Sequence, residues 1–258
     1  MKLKVSAVSD LGCVRSNNED MILVVDQLIR DSSGEIECTT GTRNFWIAVA
    51  DGMGGHNAGE VASEFVLREM AAFVETIPAN LNAEDLKNVM NALVKDIHAQ
   101  LNQMGVTQQA AKGLGTTFCG LLFYQEEVYS INIGDSRLYR FRGNCLVQLT
   151  RDHTLRNMLN DMSVPVNQIA NSFGGGMEKI FIDFEDHTDR LFSNDLLLLC
   201  TDGLNGELTD DEIENALEEN SGCSELVNGA KEKGGRDNIS CVTIKINILE
   251  PIPLTSKK

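Results

Sequence analysis

Three apolar segments of this sequence each lead into an aspartate that neighbours a glycine. The segments are 47–50, 129–133 and 196–201, and they precede Asp51-Gly52, Gly134-Asp135 and Asp202-Gly203. Short runs rich in Val, Ile and Leu predict buried strands, and glycine lets the backbone turn sharply as it leaves a sheet. Carboxylates gathered at neighbouring strand ends repel one another and lose hydration unless cations hold them together.

Each aspartate alone is most simply a turn residue, whereas the set favours a metal cluster. Further acids stand where strands begin: Glu19-Asp20 precede the apolar run 21–25, and Asp237 precedes the run that starts at residue 239. Carboxylate oxygens select hard cations, which predicts Mg²⁺ or Mn²⁺. Two ions bridged by a carboxylate activate water and stabilise charge on a transferring phosphoryl group. The predicted reaction is therefore hydrolysis of a phosphate ester.

Composition narrows the classes of protein that fit. The 258 residues carry a net charge of −16, which disfavours binding to nucleic acid and to anionic membranes. No segment approaches the ~18 apolar residues that span a bilayer, and the N-terminus lacks a signal-peptide core. Seven cysteines without a Cys-x-x-Cys pair indicate neither a disulfide framework nor a zinc site. These features predict a cytoplasmic protein.

Hydrophobic spacing indicates sheets with helices outside them. Helical periodicity follows residue 59 and runs again from an N-cap at Asn82 to a stop at Gly105. Short strands separated by turns fill residues 116–150, and Thr209 with Glu212 forms a capping box. The polar stretch 30–43 is interpreted as a long hairpin tip. No linker divides the chain, so we expect one domain over residues 1–258, ending in a short polar tail at 250–258.

The acids lie in six segments that, in this order, resemble the motifs of the metal-dependent protein phosphatase family PP2C, in its bacterial form. The resemblance runs from about residue 6 to residue 246. The segments are Gly12-Cys13-Val14-Arg15-Ser16-Asn17-Asn18-Glu19-Asp20, Val49-Ala50-Asp51-Gly52-Met53-Gly54-Gly55-His56, Gly113-Leu114-Gly115-Thr116-Thr117, Asn132-Ile133-Gly134-Asp135-Ser136-Arg137, Cys200-Thr201-Asp202-Gly203-Leu204 and Gly235-Arg236-Asp237-Asn238-Ile239. The resemblance implies an α+β fold, a four-layer α-β-β-α sandwich of two antiparallel sheets flanked by helices.

The resemblance also implies a role for each matching residue. Asp51 would bridge two Mn²⁺ or Mg²⁺ ions, Asp202 and Asp237 would complete one site, and the Gly52 carbonyl would bind the other ion. Glu19 and Asp20 would hold metal waters, and Asp135 would help bind a third, weaker ion. Arg15 would grip the substrate phosphate, for which its planar fork is suited. His56 has two open interpretations, as the acid that protonates the leaving oxygen or as a structural residue of the glycine-rich loop.

The activity so implied is a protein serine/threonine phosphatase that uses direct attack by water on phosphoserine or phosphothreonine. Its partners would be phosphoprotein substrates, including a cognate serine/threonine kinase, and the chain is expected to be a monomer. Two alternatives are a binding or scaffold protein that keeps the fold without turnover, and a phosphodiesterase or nuclease. Retention of the motif acids disfavours the first, and the lack of a basic groove disfavours the second. Cys13, near Arg15, is either a packed side chain or a site of regulatory oxidation.

Overall fold

Two six-stranded antiparallel sheets pack face to face in the computed structural model, which describes residues 1–54, 58–107, 113–165 and 168–248. The first sheet contains β1 (Lys2–Asp10), β4 (Ser32–Thr39), β10 (Arg137–Arg142), β11 (Cys145–Gln148), β14 (Leu196–Cys200) and β15 (Ile239–Asn247). Its strands lie side by side in the order β11-β10-β14-β15-β1-β4. The first strand of the chain therefore neighbours the last, and the two pair along their whole length, from Lys2 opposite Asn247 to Asp10 opposite Ile239.

The second sheet has the spatial order β13-β9-β8-β5-β2-β3. Its strands are β2 (Met21–Val25), β3 (Gln27–Ile29), β5 (Phe45–Ala50), β8 (Phe118–Tyr124), β9 (Glu127–Ile133) and β13 (Asp183–Asp186). A small three-stranded sheet at one end contains β6 (Gly52–Met53), β7 (Gly115–Thr116) and β12 (Phe173–Gly174). Its strand β6 begins immediately after Asp51, which in turn follows the end of β5.

Helices cover the outer face of each sheet. The second sheet carries α1 (Ala58–Val74) and α2 (Ala83–Thr107), and the first carries α4 (Asp202–Asn205), α5 (Asp210–Glu218) and α6 (Cys223–Glu232). A short helix, α3 (Leu155–Leu159), and a 3-10 turn at Thr188–Arg190 lie in the connections. The predicted four-layer α-β-β-α sandwich is thus confirmed. Among the described helices, none combines the length and the hydrophobicity needed to cross a bilayer.

Strand β5 shows why both faces of a central strand must be apolar. Its alternate residues Phe45, Ile47 and Val49 pack between the two sheets, while Trp46, Ala48 and Ala50 pack against the helices α1 and α2. Side chains of a strand point to opposite faces in turn, so a strand with a sheet below and helices above has no solvent face. Each fully buried aliphatic side chain of this kind contributes about 1.5–3 kcal/mol to stability.

Two local predictions were wrong. Residues 30–43 are not a hairpin tip, because β4 within them is the edge strand of the first sheet and pairs with β1. One side of an edge strand lacks a neighbour, so its polar, half-exposed residues hide the strand pattern. The second helix does not stop at Gly105 but continues to Thr107. Burial of one face of a long helix outweighs the cost of about 1 kcal/mol for an internal glycine.

The predicted caps are present. The side-chain oxygen of Asn82 accepts a hydrogen bond from the Asp85 amide at 2.9 Å, just before α2 begins. Thr209 and Glu212 form the reciprocal capping box at the start of α5. The predicted polar tail at 250–258 lies outside the described residues.

Candidate metal centre

Antiparallel pairing brings Asp20 and Asp51 to the same end of the second sheet. Strands β2 and β5 are neighbours, and Met21 lies opposite Ala50. Asp20 immediately precedes the start of β2, and Asp51 immediately follows the end of β5. The two carboxylates therefore leave the sheet side by side, although 31 positions separate them in the sequence.

Three more acids lie at the corresponding strand ends of the first sheet. Cys200, the last residue of β14, lies opposite both Cys241 of β15 and Arg137 of β10. Asp202 follows β14, Asp237 precedes β15 and Asp135 precedes β10. Because the two sheets stack face to face, the acids at the strand ends of both sheets lie together at one end of the sandwich.

Burial and mutual repulsion raise the pKa of these acids. Asp20 is 1% exposed and Asp135 is 7% exposed. Burial, followed by the charge of Asp202, raises the pKa of Asp135 to about 7. Burial also raises the pKa of Asp20 to about 7, against the opposing effect of its hydrogen bond from Thr201. At neutral pH the metal-free site therefore retains protons that ordinary aspartates release.

Asp51 is the most strongly affected of the acids. Its pKa lies well above the ordinary value because of burial first, and then because of Asp202 and Asp20. Burial and the charge of Asp237 also raise the pKa of Asp202, while a hydrogen bond with Asp51 lowers it. A hydrogen bond between two carboxyl groups requires a proton on one of them. Asp51 and Asp202 therefore influence each other's protonation.

Two threonines hold the backbone of Asp51 in place. The Thr117 hydroxyl accepts a hydrogen bond from the Asp51 amide at 3.0 Å, and the Thr116 hydroxyl donates to the Asp51 carbonyl at 2.8 Å. Both threonines are fully buried at the end of the small sheet. They fix the position of the acid without touching its carboxylate. The Gly-Thr-Thr run at a strand start is visible in the sequence, but its contact with the Asp51 backbone is not.

Asn238 ties together the loops that carry Glu19 and Asp237. Its Oδ1 accepts a hydrogen bond from the Glu19 amide at 2.9 Å, and its Nδ2 donates to the carbonyls of Leu11 and Asn17, each at 3.0 Å. Its own amide donates to Asp237 Oδ1 at 2.8 Å. With 5% of its surface exposed, Asn238 acts by positioning two acids from opposite ends of the chain.

A buried hydroxyl network supports Asp20 from the other sheet. The Thr201 hydroxyl donates to Asp20 Oδ2 at 2.7 Å and accepts from the Ser240 amide at 3.1 Å. The Ser240 hydroxyl in turn meets the Ser9 hydroxyl at 2.9 Å, and Asn18 Nδ2 donates to Ser9 at 3.0 Å. These groups have little contact with solvent, so each hydrogen bond replaces one that water would have supplied. The network joins the two sheets directly behind the acids.

Arg15 is a basic residue that contacts one of these acids directly. Its Nη2 donates to Asp237 Oδ2 at 2.6 Å, and its side chain is 49% exposed. The pKa of the guanidinium is raised, first by this hydrogen bond. Arg15 thus reaches the acid cluster from the solvent side, where an incoming anion would arrive.

The donor set fits a hard divalent cation. The side-chain donors are carboxylate oxygens, and Asp135 Oδ1 is buried without a hydrogen-bond partner among the residues that the structure describes. Within those same residues no three His, Cys, Asp or Glu side chains converge closely enough to bind one ion without rearrangement. Asp237 is paired with Arg15, and Asp202 is paired with Asp51. Cations would replace both contacts.

Three predicted residues remain to be placed: Gly52, Cys13 and His56. Gly52 is buried, and its amide donates to the Glu19 carbonyl at 3.2 Å, so its backbone lies beside the acids. Cys13 is exposed, with its Sγ 3.8 Å from the Lys231 carbonyl. His56 lies outside the described residues. A basic residue that the sequence analysis missed, Arg156, lines a cleft that also contains Asp202 and Asp237, and no motif marked it.

Known proteins share this fold and these sequence features. The sequence model of the protein phosphatase 2C family matches residues 23–230. The serine/threonine phosphatase Stp of Listeria innocua is 30% identical over 255 residues, which cover 94% of this chain and 95% of that protein. The crystal structure of the Mycobacterium tuberculosis serine/threonine phosphatase PstP superposes with a TM-score of 0.74 at 30% identity, covering 96% of this chain and 100% of that one. The PstP catalytic domain in complex with two manganese ions gives a TM-score of 0.71 at 29% identity, with the same coverage.

The sandwich, the acids at its end and these relatives define a phosphoprotein phosphatase. The chain belongs to the protein phosphatase 2C family. It is a bacterial-type protein serine/threonine phosphatase.

Close packing at Gly203 allows a direct test of how the acids are positioned. A Cβ at Gly203 would lie 1.9 Å from the Asn238 carbonyl oxygen, so Gly203→Ala must displace either Asp202 or the Asn238 loop. We expect a loss of about 1–3 kcal/mol in the free energy of unfolding, measured by urea denaturation. Gly229→Ala is the control, because Gly229 lies inside α6 and its Cβ would make only an ordinary contact with the Leu208 side chain. This variant should be more stable than the wild type by about 0.5–1 kcal/mol. Equal effects of the two variants would contradict this account.

The raised pKa values predict how stability depends on pH in the metal-free protein. Asp135 keeps its proton up to a pKa of about 7, whereas the unfolded chain releases it near the ordinary value of 3.8. The folded state therefore binds more protons over this range, and its contribution to stability is lost as pH rises from about 4 to about 7. The Tm of the wild type minus that of Asp135→Asn should fall between pH 5 and pH 8 in EDTA. The subtraction removes groups with the opposite trend, such as His187, whose pKa burial lowers to about 4. A difference that rises with pH would contradict the assignment.

Proposed function

We propose that this phosphatase hydrolyses phosphoserine and phosphothreonine in proteins at a centre of two Mn²⁺ or Mg²⁺ ions held by the strand-end acids. The observation that carries the proposal is the convergence of five aspartates with one another at one end of the sandwich. Four of them have raised pKa values, and the fifth, Asp237, contributes to the repulsion. Strongly shifted pKa values of this kind cluster at functional sites. The binding of two manganese ions by the PstP catalytic domain supports the choice of cation.

We assign the ligands as the family resemblance implies. Asp51, Asp202, Asp237 and the Gly52 carbonyl would hold the two ions, with Asp51 as the ligand common to both. Glu19 and Asp20 would act through bound water; Asp20 in particular is already engaged by the Thr201 hydroxyl. Asp135, with an oxygen that has no partner in the described part of the chain, would take a third, weaker ion together with Asp202.

When bound, the ions supply an activated water as nucleophile and offset charge on the transferring phosphoryl group. Arg15 binds the phosphate oxygens through its guanidinium, whose exposed side faces solvent. Asn238, Thr116 and Thr117 keep the acids in place as charge changes, because their hydrogen bonds run to backbone groups. His56 remains a candidate for protonating the leaving oxygen.

No protein nucleophile is needed for this reaction. Four of the seven cysteines are buried, at positions 119, 200, 223 and 241, and burial raises the pKa of Cys119 and Cys200. The exposed Cys145 pairs with Arg142 at the end of β10 away from the acids. All seven are free thiols, which supports a reducing cytoplasm as the location. We further propose that the chain acts as a monomer and that its substrates include a cognate serine/threonine kinase.

Loss of the shared ligand tests the metal centre. Asp51→Asn keeps the side-chain volume but removes the charge, so kcat/KM on a phosphothreonine peptide with Mn²⁺ should fall by at least about a hundredfold. Calorimetric titration should show weaker Mn²⁺ binding in the same variant, and EDTA should abolish wild-type turnover. Asp26→Asn is the matched control, because Asp26 is 68% exposed and lies at the other end of β2. Turnover that persists in EDTA would refute the proposal.

Arg15 can be tested through its distinct geometry. Arg15→Lys keeps the charge but loses the two-pronged contact, and Arg15→Gln loses both, so kcat/KM should fall in the order wild type, Lys, Gln, with about a tenfold loss or more for Gln. Inhibition by inorganic phosphate should weaken in parallel. Arg43→Gln, at an exposed ion pair with Asp26, should behave as the wild type. An Arg15→Gln enzyme inhibited as strongly as the wild type would exclude this role.

A further inference from the structure

A cleft of about 570 Å³ opens beside the proposed metal ligands and has no assigned role. It is lined by Arg156, Pro165, Asp202, Gly203, Gly206, Glu207, Arg236 and Asp237. Its size falls in the range of sites that hold small ligands or a few residues of a peptide. Two of the acids and Arg156 of α3 thus line the same cleft. A phosphorylated residue at the acids would therefore extend its neighbouring residues into this cleft.

Arg156 is held firmly at the wall of the cleft. It is a half-buried residue of α3, and its Nε donates to the Val164 carbonyl at 2.7 Å. The helix is capped at its start by the Thr154 hydroxyl, and the Asp161 amide closes its end onto the Arg156 carbonyl. With Nε engaged by the backbone, the terminal nitrogens of the guanidinium remain as donors. An anchored arginine loses less conformational entropy on binding an anion than a mobile one does.

The other charges of the cleft already have partners. Glu207 has only 5% of its side chain exposed and accepts two hydrogen bonds from the Arg236 guanidinium and one from the Arg236 amide. This pairing lowers the pKa of Glu207 to about 2. Asp237 pairs with Arg15, and Asp202 contacts Asp51. Arg156, by contrast, forms no ion pair with any residue that the structure describes, in a chain whose net charge is −16.

We propose that Arg156 forms an anion-binding subsite for the substrate, which recognises a carboxylate or a second phosphate on a residue next to the phosphorylated serine or threonine. The proposal rests on the proposed function, because the same bound peptide must reach the acids. Guanidinium forms two-pronged hydrogen bonds to both kinds of anion. The residue would thus favour acidic or doubly phosphorylated segments, against the general repulsion from a negatively charged protein.

A purely structural role for Arg156 makes a different prediction. If the only role of Arg156 were to bind the Val164 carbonyl, loss of its side chain would weaken the binding of all substrates to a similar degree. A subsite changes the preference between substrates instead. The ratio of affinities for acidic and neutral peptides is therefore the quantity to measure.

The test uses three fluorescent phosphothreonine peptides whose neighbouring residues are glutamine, glutamate or phosphoserine. Binding to the metal-free protein in EDTA is measured by fluorescence anisotropy, so turnover does not interfere. The wild type should bind the glutamate and phosphoserine peptides about fivefold or more tightly than the glutamine peptide, and added salt should reduce this preference. Arg156→Gln should reduce it to less than about twofold, while Arg156→Lys should keep part of it. Arg68→Gln removes an exposed arginine of α1, paired with Glu64, and should retain the full preference.

The outcomes separate the possibilities. A wild type without preference, an Arg156→Gln variant that keeps it, or an equal loss of affinity for all three peptides would each overturn the subsite. Preference for only one anionic peptide identifies the anion as a carboxylate or a phosphate. The same peptides are then assayed for hydrolysis with Mn²⁺. Discrimination in binding without any hydrolysis would refute the proposed function and leave the subsite in place.

Discussion

Repulsion among carboxylates at one end of the sandwich is the constraint on which the rest of this structure depends. Each acid leaves a different strand, and antiparallel pairing in two stacked sheets forces them together. Desolvation then raises their pKa values further. Burial of apolar side chains between the sheets, such as Ile47 and Val49, offsets the unfavourable energy of this repulsion. The fold is in this sense a rigid frame that holds like charges closer than they would remain in water.

The frame acts mainly through neutral groups. Thr116 and Thr117 bind the backbone of Asp51, Asn238 joins two acid-bearing loops, and Thr201 links Asp20 to the opposite sheet. Neutral donors and acceptors can hold an acid in either protonation state, whereas a cationic partner would compete with metal ions for the same oxygens. Arg15 is the exception, and its half-exposed position leaves it able to exchange Asp237 for an incoming anion. The division between neutral supports and one charged contact follows from what the site must bind.

The sequence predicted the elements of this structure that have a strong hydrophobic pattern. Buried runs such as 45–50 located the central strands, and the acids at their ends located the site. The edge strand β4 was not predicted because its residues alternate between half-buried and exposed and few of them are apolar. Arg156 escaped for another reason: it reaches the cleft through the short helix α3, whose position is set by tertiary contacts such as the Leu155 amide to the Gln168 carbonyl. Periodicity carries no information about which distant elements meet. The roles of the acids rest on family resemblance together with their geometry.

The pairing of β1 with β15 affects how the protein folds during its synthesis. These strands bring Asp237, from the final tenth of the chain, next to loops that carry Arg15 and Glu19 from its first tenth. During synthesis on the ribosome the first strand emerges long before its partner exists, so the edge it presents stays unpaired until the last strand is released. Contacts this distant in sequence also slow folding. The acids can therefore assemble only after Asp237 and β15 have been synthesised, and a product truncated before Asp237 would lack one of them.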